Sequence, residues 1–196
     1  MDEDARLVRR NRILTAARAS FAAEGFHATS TATIARAAKL SVANLYQYFP
    51  SKDDLVLALV QQDLQADIAF VAELGRQGPF PRAVESVLQG VLEERGKDED
   101  GFRLRLEILA EATRNVAVRR ALASAEAQVI QLLADQVGEA QTRGEIGSQE
   151  SPETIARLLY LLADGAVSTA DATTADGRRD SEAVARLIAR VLGPGK

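Results

Sequence analysis

Apolar residues recur at intervals of three and four along almost the whole chain, and no stretch alternates apolar with polar residues for long. This period predicts amphipathic helices and no strands. The first helix is predicted over about residues 4–24, because Gly25 is a typical residue to follow a helix end. Short helices are predicted over about 31–38 and 42–49, and Pro50 ends the second of them. The first fifty residues therefore form a separate three-helix unit in this prediction.

The rest of the chain predicts longer helices, separated by breaks rich in glycine, proline and acidic residues. Their approximate spans are 51–74, 82–94, 102–114, 116–143, 152–171 and a last helix that begins with Ser181 as N-cap. The helix over 102–114 carries apolar residues on two sides, which predicts a position in the middle of a bundle. The predicted fold class is all-α with about nine helices, divided into domains over residues 1–52 and 53–196.

The two short helices have the pattern of a helix-turn-helix, whose second helix offers a polar face to the major groove of DNA. Ala35 and Ala38 give the first helix a small apolar inner face, so that the second helix can pack closely. Ser41 is placed to cap the second helix, in which Leu45 and Phe49 lie four residues apart and face inward. The opposite face of the second helix is therefore free to meet DNA.

The outward residues of this second helix have suitable chemistry for reading DNA. An amide side chain such as Asn44 or Gln47 can bond an adenine edge, and an alanine can touch a thymine methyl group. Candidate base-reading residues are Val42, Ala43, Asn44 and Gln47. Candidate phosphate contacts are Thr31, Tyr46, Tyr48 and Lys52. On spacing alone these side chains are equally well explained as ordinary surface residues.

Charge is distributed unevenly along the chain. The whole protein has a formal net charge of −4, yet residues 1–52 contain eight Lys and Arg against four Asp and Glu. That segment therefore carries +4 and the remainder −8. A basic first domain on an acidic body favours a polyanionic partner, although a solvated basic face gives the same pattern.

The composition argues against several other classes of protein. There are no cysteines and a single histidine, so no disulfide framework, thiolate metal site or cysteine nucleophile is possible. No Ser-His-acid order, glycine-rich phosphate loop or metal-ligand spacing is present, which argues against an enzyme and against a bound cofactor. The start of the chain is acidic and its apolar runs are short, so we expect neither a secretory signal nor a membrane span. The sequence predicts a cytoplasmic, non-enzymatic protein.

Residues 13–60 read ILTAARASFAAEGFHATSTATIARAAKLSVANLYQYFPSKDDLVLALV. They combine, in register, F-x-x-x-G-[FY]-x-x-[TS] at the end of the first helix with I-A-x-x-A, S-x-x-x-L-Y-x-Y-F and x-x-K-x-x-L. This combination resembles the N-terminal domain of the TetR family of bacterial regulators, in its TetR/AcrR-like form. The resemblance implies a recognition helix at about 41–48, phosphate contacts from Tyr46 and Lys52, and an all-helical effector domain behind.

Two places depart from the family pattern. Lys39 stands in the turn where many members have glycine, which predicts a residue with positive φ at that position. Val42 and Ala43 stand where many members have Lys-Gly or Pro-Gly. We therefore expect the reading surface of this protein to differ from that of its relatives.

The resemblance implies a ligand-responsive transcription regulator. Its expected action is that of a repressor, which binds a palindromic double-stranded DNA operator as a homodimer and is released by a small-molecule effector of unidentified chemistry. In the cell such a protein is cytoplasmic and associates with the nucleoid when it is bound to DNA. An alternative is a small-molecule or protein-binding helical module whose helix-turn-helix is vestigial, and a structural helical bundle is a third.

The resemblance also implies that residues 53–196 enclose an effector pocket and that the last two helices form a dimer interface as a four-helix bundle. Candidate pocket residues are Phe70, Phe102, Leu106, Leu109, Val129, Leu133 and Tyr160. Candidate interface residues are Leu158, Leu162, Ala166, Val184, Leu187, Ile188 and Val191. The same apolar residues are also explained as the core of a single subunit.

One further group of side chains is charged. Arg103, Glu107, Glu111 and Arg114 are spaced by three and four residues in the helix over 102–114, a pattern typical of a solvated set of ion pairs. No cluster of Asp and Glu around the single histidine, His27, suggests a metal site. We therefore expect it to lie at the surface and not to bind a metal.

Overall fold

The computed structural model describes residues 3–74, 78–95 and 99–168, together with 183, 185–188, 190 and 192–193. Within these residues there are eight bounded helices, and none of them is in a strand. The helices are α1 (Glu3–Glu24), α2 (Thr31–Ala37), α3 (Val42–Tyr46), α4 (Lys52–Leu74), α5 (Phe80–Arg95), α6 (Glu99–Ala112), α7 (Val116–Thr142) and α8 (Pro152–Ser168). The described positions from 183 to 192 are also helical, and the all-α prediction is confirmed. The predicted N-cap Ser181 lies outside the described residues.

The chain forms two compact units. The first contains residues 1–63 and 100–125, and the second contains 64–99 and 126–196. The core of the first unit is apolar and is supplied by all of its helices. Its largest fully buried side chains are Ile13, Leu14, Phe21, Ile34, Leu45, Leu55, Val56, Leu59, Leu104 and Val118. α6 and the start of α7 therefore belong to the same core as the predicted helix-turn-helix.

Local interactions determine where α1 ends and where α4 begins. Gly25 ends α1 with φ of 78°, the left-handed conformation that glycine adopts without strain. At the start of α4, the Asp54 backbone N–H donates to Ser51 Oγ at 3.1 Å, and the Ser51 N–H donates to Asp54 Oδ2 at 2.9 Å. This reciprocal capping box confirms the predicted start of the long helix.

α4 is apolar and long, with a mean hydropathy of 1.4 over its most apolar window within 23 residues. By length and composition alone it meets the requirement for a membrane span, and no other helix in the described part of the chain does. Leu55, Val56 and Leu59 of this helix are fully buried in the core of the first unit. About 33% of that apolar window is buried inside the protein.

α6 differs from its prediction. Leu104 and Ile108 are buried in the core of the first unit, whereas Leu106 and Leu109 are exposed. The prediction that this helix lies in the middle of a bundle is therefore wrong, because only one of its two apolar sides is covered.

The second unit has its own apolar core, in which α5 packs against α8. Its buried side chains include Phe80, Val84, Val87, Val129, Leu133, Val137, Ile155, Leu159, Ile188 and Leu192. At the start of α5, the Phe80 N–H donates to the Glu145 carboxylate at 2.7 Å. The hydrogen bond from Arg143 and then the one from Phe80 hold the pKa of Glu145 below its usual value. This carboxylate therefore ties the loop after α7 to the start of α5.

Candidate nucleic-acid interface

α2 and α3 are joined by a tight turn and capped by serines. Ser30 Oγ accepts from the Thr33 N–H at 3.0 Å, and Ser41 Oγ accepts from the Asn44 N–H at 3.1 Å. In the turn between them, Lys39 has φ of 55°, as the resemblance predicted. Since each serine satisfies an amide that the first helical turn leaves free, both short helices begin at fixed positions.

Lys39→Gly is expected to raise the free energy of unfolding by about 0.5–1 kcal/mol, because glycine adopts this φ without the steric cost that a Cβ imposes. Equilibrium unfolding in urea measures the change. Ala37→Gly, at the exposed end of α2, is the matched control and should lower the free energy of unfolding by a similar amount. A loss of stability in Lys39→Gly would contradict the expectation.

The predicted base-reading residues lie on one outward surface of α3 and the turn that follows it. Leu45 is fully buried and fixes the inner side of the helix, while Val42, Ala43 and Gln47 are exposed and Asn44 is half-buried. α3 ends at Tyr46, three residues before its predicted end. The N–H groups of residues 47 and 48 instead bond the carbonyls three residues back, at 3.2 and 2.9 Å, which tightens the chain and brings Phe49 into the core.

Two of the predicted phosphate-binding residues are joined across the helix-turn-helix. Thr31 Oγ1 lies 3.2 Å from the Tyr46 hydroxyl, and the Tyr46 side chain is 45% exposed. Thr31 and Tyr48 are both half-buried. The Thr31–Tyr46 pair therefore presents two hydroxyl groups at one place beside the recognition helix, where they can bond one phosphate together.

Lys52, the fourth predicted phosphate contact, is engaged within the protein. Its ammonium donates to the carbonyl oxygens of Phe26 and Thr29, at 2.6 and 3.1 Å. It also lies 4.4 Å from the centroid of the Phe26 ring. An ammonium group has three N–H donors, so one remains for a phosphate. The phosphate role of Lys52 stays a prediction, and its structural role is an addition that the sequence did not suggest.

One basic residue of α1 lies beside this surface. The Arg10 guanidinium is 5.2 Å from the centroid of the Phe49 ring, which places it next to a residue that closely follows the recognition helix. Arg6, one helical turn before Arg10, is exposed. Part of the positive charge that the sequence assigns to the first domain is therefore present close to the candidate reading surface.

Sequence reasoning missed the part that α6 plays in this unit. The Glu111 side chain is buried and the Glu107 carboxylate bonds the chain after α1, so the interpretation of these residues as a solvated set is wrong. A signal for this was present, because Glu111 falls on the same helical stripe as the buried Leu104 and Ile108. His27 is largely exposed, as expected, although its ring lies 3.5 Å from the Glu111 carboxylate.

The predicted pocket residues differ widely in environment. Val129 and Leu133 are buried, Phe102 and Tyr160 are half-buried, and the remaining three are exposed: Phe70, Leu106 and Leu109. They are divided between the two compact units. Their role as a ligand site stays a prediction.

The predicted dimer residues include exposed leucines. Leu158 and Leu187 are 52% and 57% exposed, and Leu161, which the sequence did not single out, is 56% exposed. Leu162 is half-buried, and Ile188 is buried within its own chain, which leaves it little surface for a partner. The side chains of Ala166, Val184 and Val191 lie outside the described residues.

Comparison with known proteins gives consistent results over both parts of the chain. Residues 13–59 match the family described as bacterial regulatory proteins, tetR family, and residues 81–193 match the family described as BetI-type transcriptional repressor, C-terminal. The HTH-type transcriptional regulator UidR of Escherichia coli (strain K12) is 31% identical over 185 residues, which cover 94% of this chain and 91% of that protein.

Solved structures share the fold. Salmonella enterica GusR superposes with a TM-score of 0.83 at 31% identity, over 95% of this chain and 96% of that one. The transcriptional regulator FadR from Bacillus subtilis, solved in complex with stearoyl-CoA, has a TM-score of 0.76 at 19% identity, over 95% of this chain and 98% of that one. At that lower identity, the second likeness shows the fold alone.

A helix-turn-helix with serine-capped helices, in a chain that matches regulators over both of its parts, defines a DNA-binding transcription regulator. This chain belongs to the TetR family of bacterial transcriptional regulators. The family and the curated relatives are regulators and not enzymes, which agrees with the sequence prediction.

Proposed function

We propose that this protein is a ligand-responsive repressor, which binds a palindromic operator as a homodimer and leaves it when a small-molecule effector binds. In this proposal residues 1–52 are the DNA-binding domain, and residues 53–196 bind the effector and form the dimer. The protein works in the cytoplasm, on the nucleoid when bound to DNA. The observation that supports the proposal most is the outward surface of α3, where Val42, Ala43 and Gln47 are exposed while Leu45 is fixed in the core.

A homodimer is supported by the apolar surface of α8. Leu158 and Leu161 lie three residues apart on one side of that helix and are both more than half exposed. Large exposed apolar side chains on neighbouring turns are typical of an interface. Two copies that meet through α8 and the last helix form a four-helix bundle, which is a closed, symmetric arrangement.

The proposed switch depends on the separation of the two DNA-binding domains. Half-sites of a palindrome lie about one helical turn apart, roughly 34 Å, and a dimer must match that distance. α4 begins at Lys52, directly after the helix-turn-helix, so a displacement of α4 by an effector changes the separation. The effector shifts the balance only through a higher affinity for the form that does not fit the operator. The solved FadR complex supports a ligand site in this fold.

Selection from a randomised library of double-stranded DNA tests the proposal directly. We expect the wild-type protein to enrich a palindromic sequence and to bind it with an affinity that falls steeply as salt rises. Enrichment of a non-palindromic sequence would contradict the dimeric arrangement. Absence of any salt-sensitive DNA binding would favour the alternative, a binding module with a vestigial helix-turn-helix.

Asn44→Ala and Gln47→Ala are each expected to lower the affinity for the selected palindrome by about 1–3 kcal/mol and to relax base preference at the contacted position, since each amide can bond a base edge at two points. Fluorescence anisotropy with the palindrome and with single-base variants measures both effects. Gln62→Ala, at an exposed position of α4, is the matched control and should bind like the wild type. Equal losses on all sequences would show that the amides do not read bases.

A further inference from the structure

Three polar side chains of α6 and the turn after it lie four residues apart: Glu107, Glu111 and Asn115. We call them the 107–111–115 ladder. Because a spacing of four places side chains above one another on a helix, Glu107 and Glu111 lie on one face of α6. Asn115 follows in the turn before α7, where its N–H donates to the Glu111 carbonyl at 2.8 Å. Each of its members contacts a segment at one edge of the helix-turn-helix.

Glu107 holds the chain between α1 and α2. Its Oε2 accepts the backbone N–H of Phe26 at 2.8 Å. The approach is close, since a Cβ added to Gly25 would lie 3.3–3.4 Å from the Glu107 carboxyl group. Gly25 therefore serves two purposes, because it adopts a positive φ and leaves room for this carboxylate.

Glu111 lies beside the next residue of the same segment, His27. It is only 5% exposed, which is unusual for a carboxylate, and it accepts from Arg114 Nε at 2.9 Å. Its other neighbour is His27 Nε2, at 3.5 Å. The hydrogen bond from Arg114 and the burial of its side chain hold this carboxylate in position next to His27.

Asn115 holds the start of α4. Its Nδ2 donates to Asp53 Oδ2 at 2.9 Å. Its Oδ1 accepts the N–H groups of Ala117 and Val118, at 3.0 and 3.3 Å, and thereby caps α7. The amide is thus oriented by α7, the helix that it caps, and its NH2 group donates to the first turn of α4.

These contacts lie at the two ends of the helix-turn-helix. Residues 26 and 27 precede α2, and Asp53 follows α3, so the whole of segment 28–52 lies between the residues that the ladder contacts. Lys52 closes the connection, because its ammonium donates to the carbonyl of Phe26, the residue whose N–H Glu107 accepts. α6 and the turn after it therefore contact both ends of the reading unit.

We propose that Glu107, Glu111 and Asn115 are positioning residues for operator recognition, acting through Phe26, His27 and Asp53 to fix the orientation of the helix-turn-helix. The inference rests on the proposed function, because it concerns binding of a palindrome by a dimer. A single half-site can be bound by one DNA-binding domain, whatever its orientation in the dimer. A full palindrome requires both DNA-binding domains of the dimer at one separation. A helix-turn-helix that is less firmly oriented therefore loses more conformational entropy when it binds the palindrome than when it binds the half-site.

Asn115→Asp tests the ladder while it leaves the cap of α7 in place, because aspartate is as good an N-cap as asparagine. The substitution removes the donor and sets a second carboxylate against Asp53. We expect the affinity for the selected palindrome to fall by about tenfold and the affinity for a single half-site to change less than about threefold. The double variant Asn115→Asp/Asp53→Asn restores the hydrogen bond with donor and acceptor exchanged, and should restore palindrome binding.

Glu107 provides a second, independent test. Glu107→Ala leaves the Phe26 N–H without its acceptor and should lower palindrome affinity by about tenfold, whereas Glu107→Gln keeps a carbonyl oxygen and should lose less than about threefold. Glu139→Ala and Glu139→Gln, at an exposed position of α7, are the matched controls and should bind like the wild type. Unfolding in urea is followed for every variant, and affinities are measured where each is fully folded.

The outcomes separate two failures. If palindrome and half-site affinities fall by the same factor, or if the double variant does not recover, the ladder is a structural feature and the inference is wrong. If the wild-type protein selects no palindrome at all, the proposed function fails before the ladder is tested.

Discussion

Replacement of Leu158 and Leu161 together by glutamate is expected to convert the protein to monomers and to lower its affinity for the full palindrome by more than about 100-fold. Both leucines are more than half exposed on one side of α8. Glutamate keeps the helix propensity of leucine but places a charge where the proposed interface excludes water, and two copies bring four such charges together. The affinity for the full palindrome falls because two DNA-binding domains that are no longer joined must bind their half-sites separately.

Sedimentation measures the association state, and anisotropy with a full palindrome and a half-site measures the consequence for DNA. Half-site affinity should be unchanged, since the substitutions are in the second unit and the reading residues are in the first. Val116→Glu is the matched control, because Val116 is 49% exposed on α7 and belongs to the first unit. A double variant that still sediments as a dimer would show that this side of α8 is not the interface.

Most of the helix-turn-helix could be predicted because its signals are short in range. Ser30 and Ser41 accept from N–H groups three residues further on. Gly25 and Lys39 have positive φ, a property of the single residue at each position. Buried positions such as Ile34 and Leu45 follow from helical spacing. For each of these, the physical cause and the structural effect lie within one turn of helix, so a local pattern is sufficient.

The ladder could not be predicted in this way because its partners are distant in sequence. Glu107 accepts the N–H of a residue 81 positions earlier, and Asn115 bonds one 62 positions earlier. Within its own helix, Glu107 lies four residues after Arg103, a spacing typical of a surface ion pair. Nothing near it in the sequence indicates that its carboxylate accepts from the backbone N–H of Phe26. The stripe shared with Leu104 and Ile108 indicates that Glu111 is buried, but it does not indicate what the carboxylate meets.

The same limit applies to the outward surface of α8. Helical spacing places Ile155, Leu158 and Leu159 along one apolar stripe of α8 and does not show which of them a core covers. In the fold, Ile155 and Leu159 are buried within the chain, whereas Leu158 and Leu161 are exposed. Leu161 therefore emerges as an interface candidate only once the intramolecular core is known.

Lys52→Met is expected to lower the free energy of unfolding by about 2–4 kcal/mol. The ammonium makes two charge-assisted hydrogen bonds, to the carbonyls of Phe26 and Thr29, and lies over the Phe26 ring. Hydrogen bonds of a charged group contribute about 1.5–3 kcal/mol each, and the contact of a partly exposed ammonium with a ring contributes about 0.5–1 kcal/mol. Because Lys52 is partly exposed, we expect solvent to reduce the sum to the stated range. Methionine keeps much of the apolar stem, so the loss reports on the ammonium group.

The variant also decides between the two roles of Lys52. If the third N–H meets a phosphate, the logarithmic dependence of DNA affinity on salt should decrease by about one unit in Lys52→Met, on all DNA sequences alike. Urea unfolding and anisotropy at several salt concentrations give both quantities. Arg12→Met, an exposed charge on α1 with no such carbonyl contacts described, is the control and should change stability by less than about 0.5 kcal/mol. Lower stability with an unchanged salt dependence assigns Lys52 a role within the protein alone, because its ammonium then neutralises no phosphate. Unchanged stability would contradict the expectation and leave the phosphate as its only significant partner.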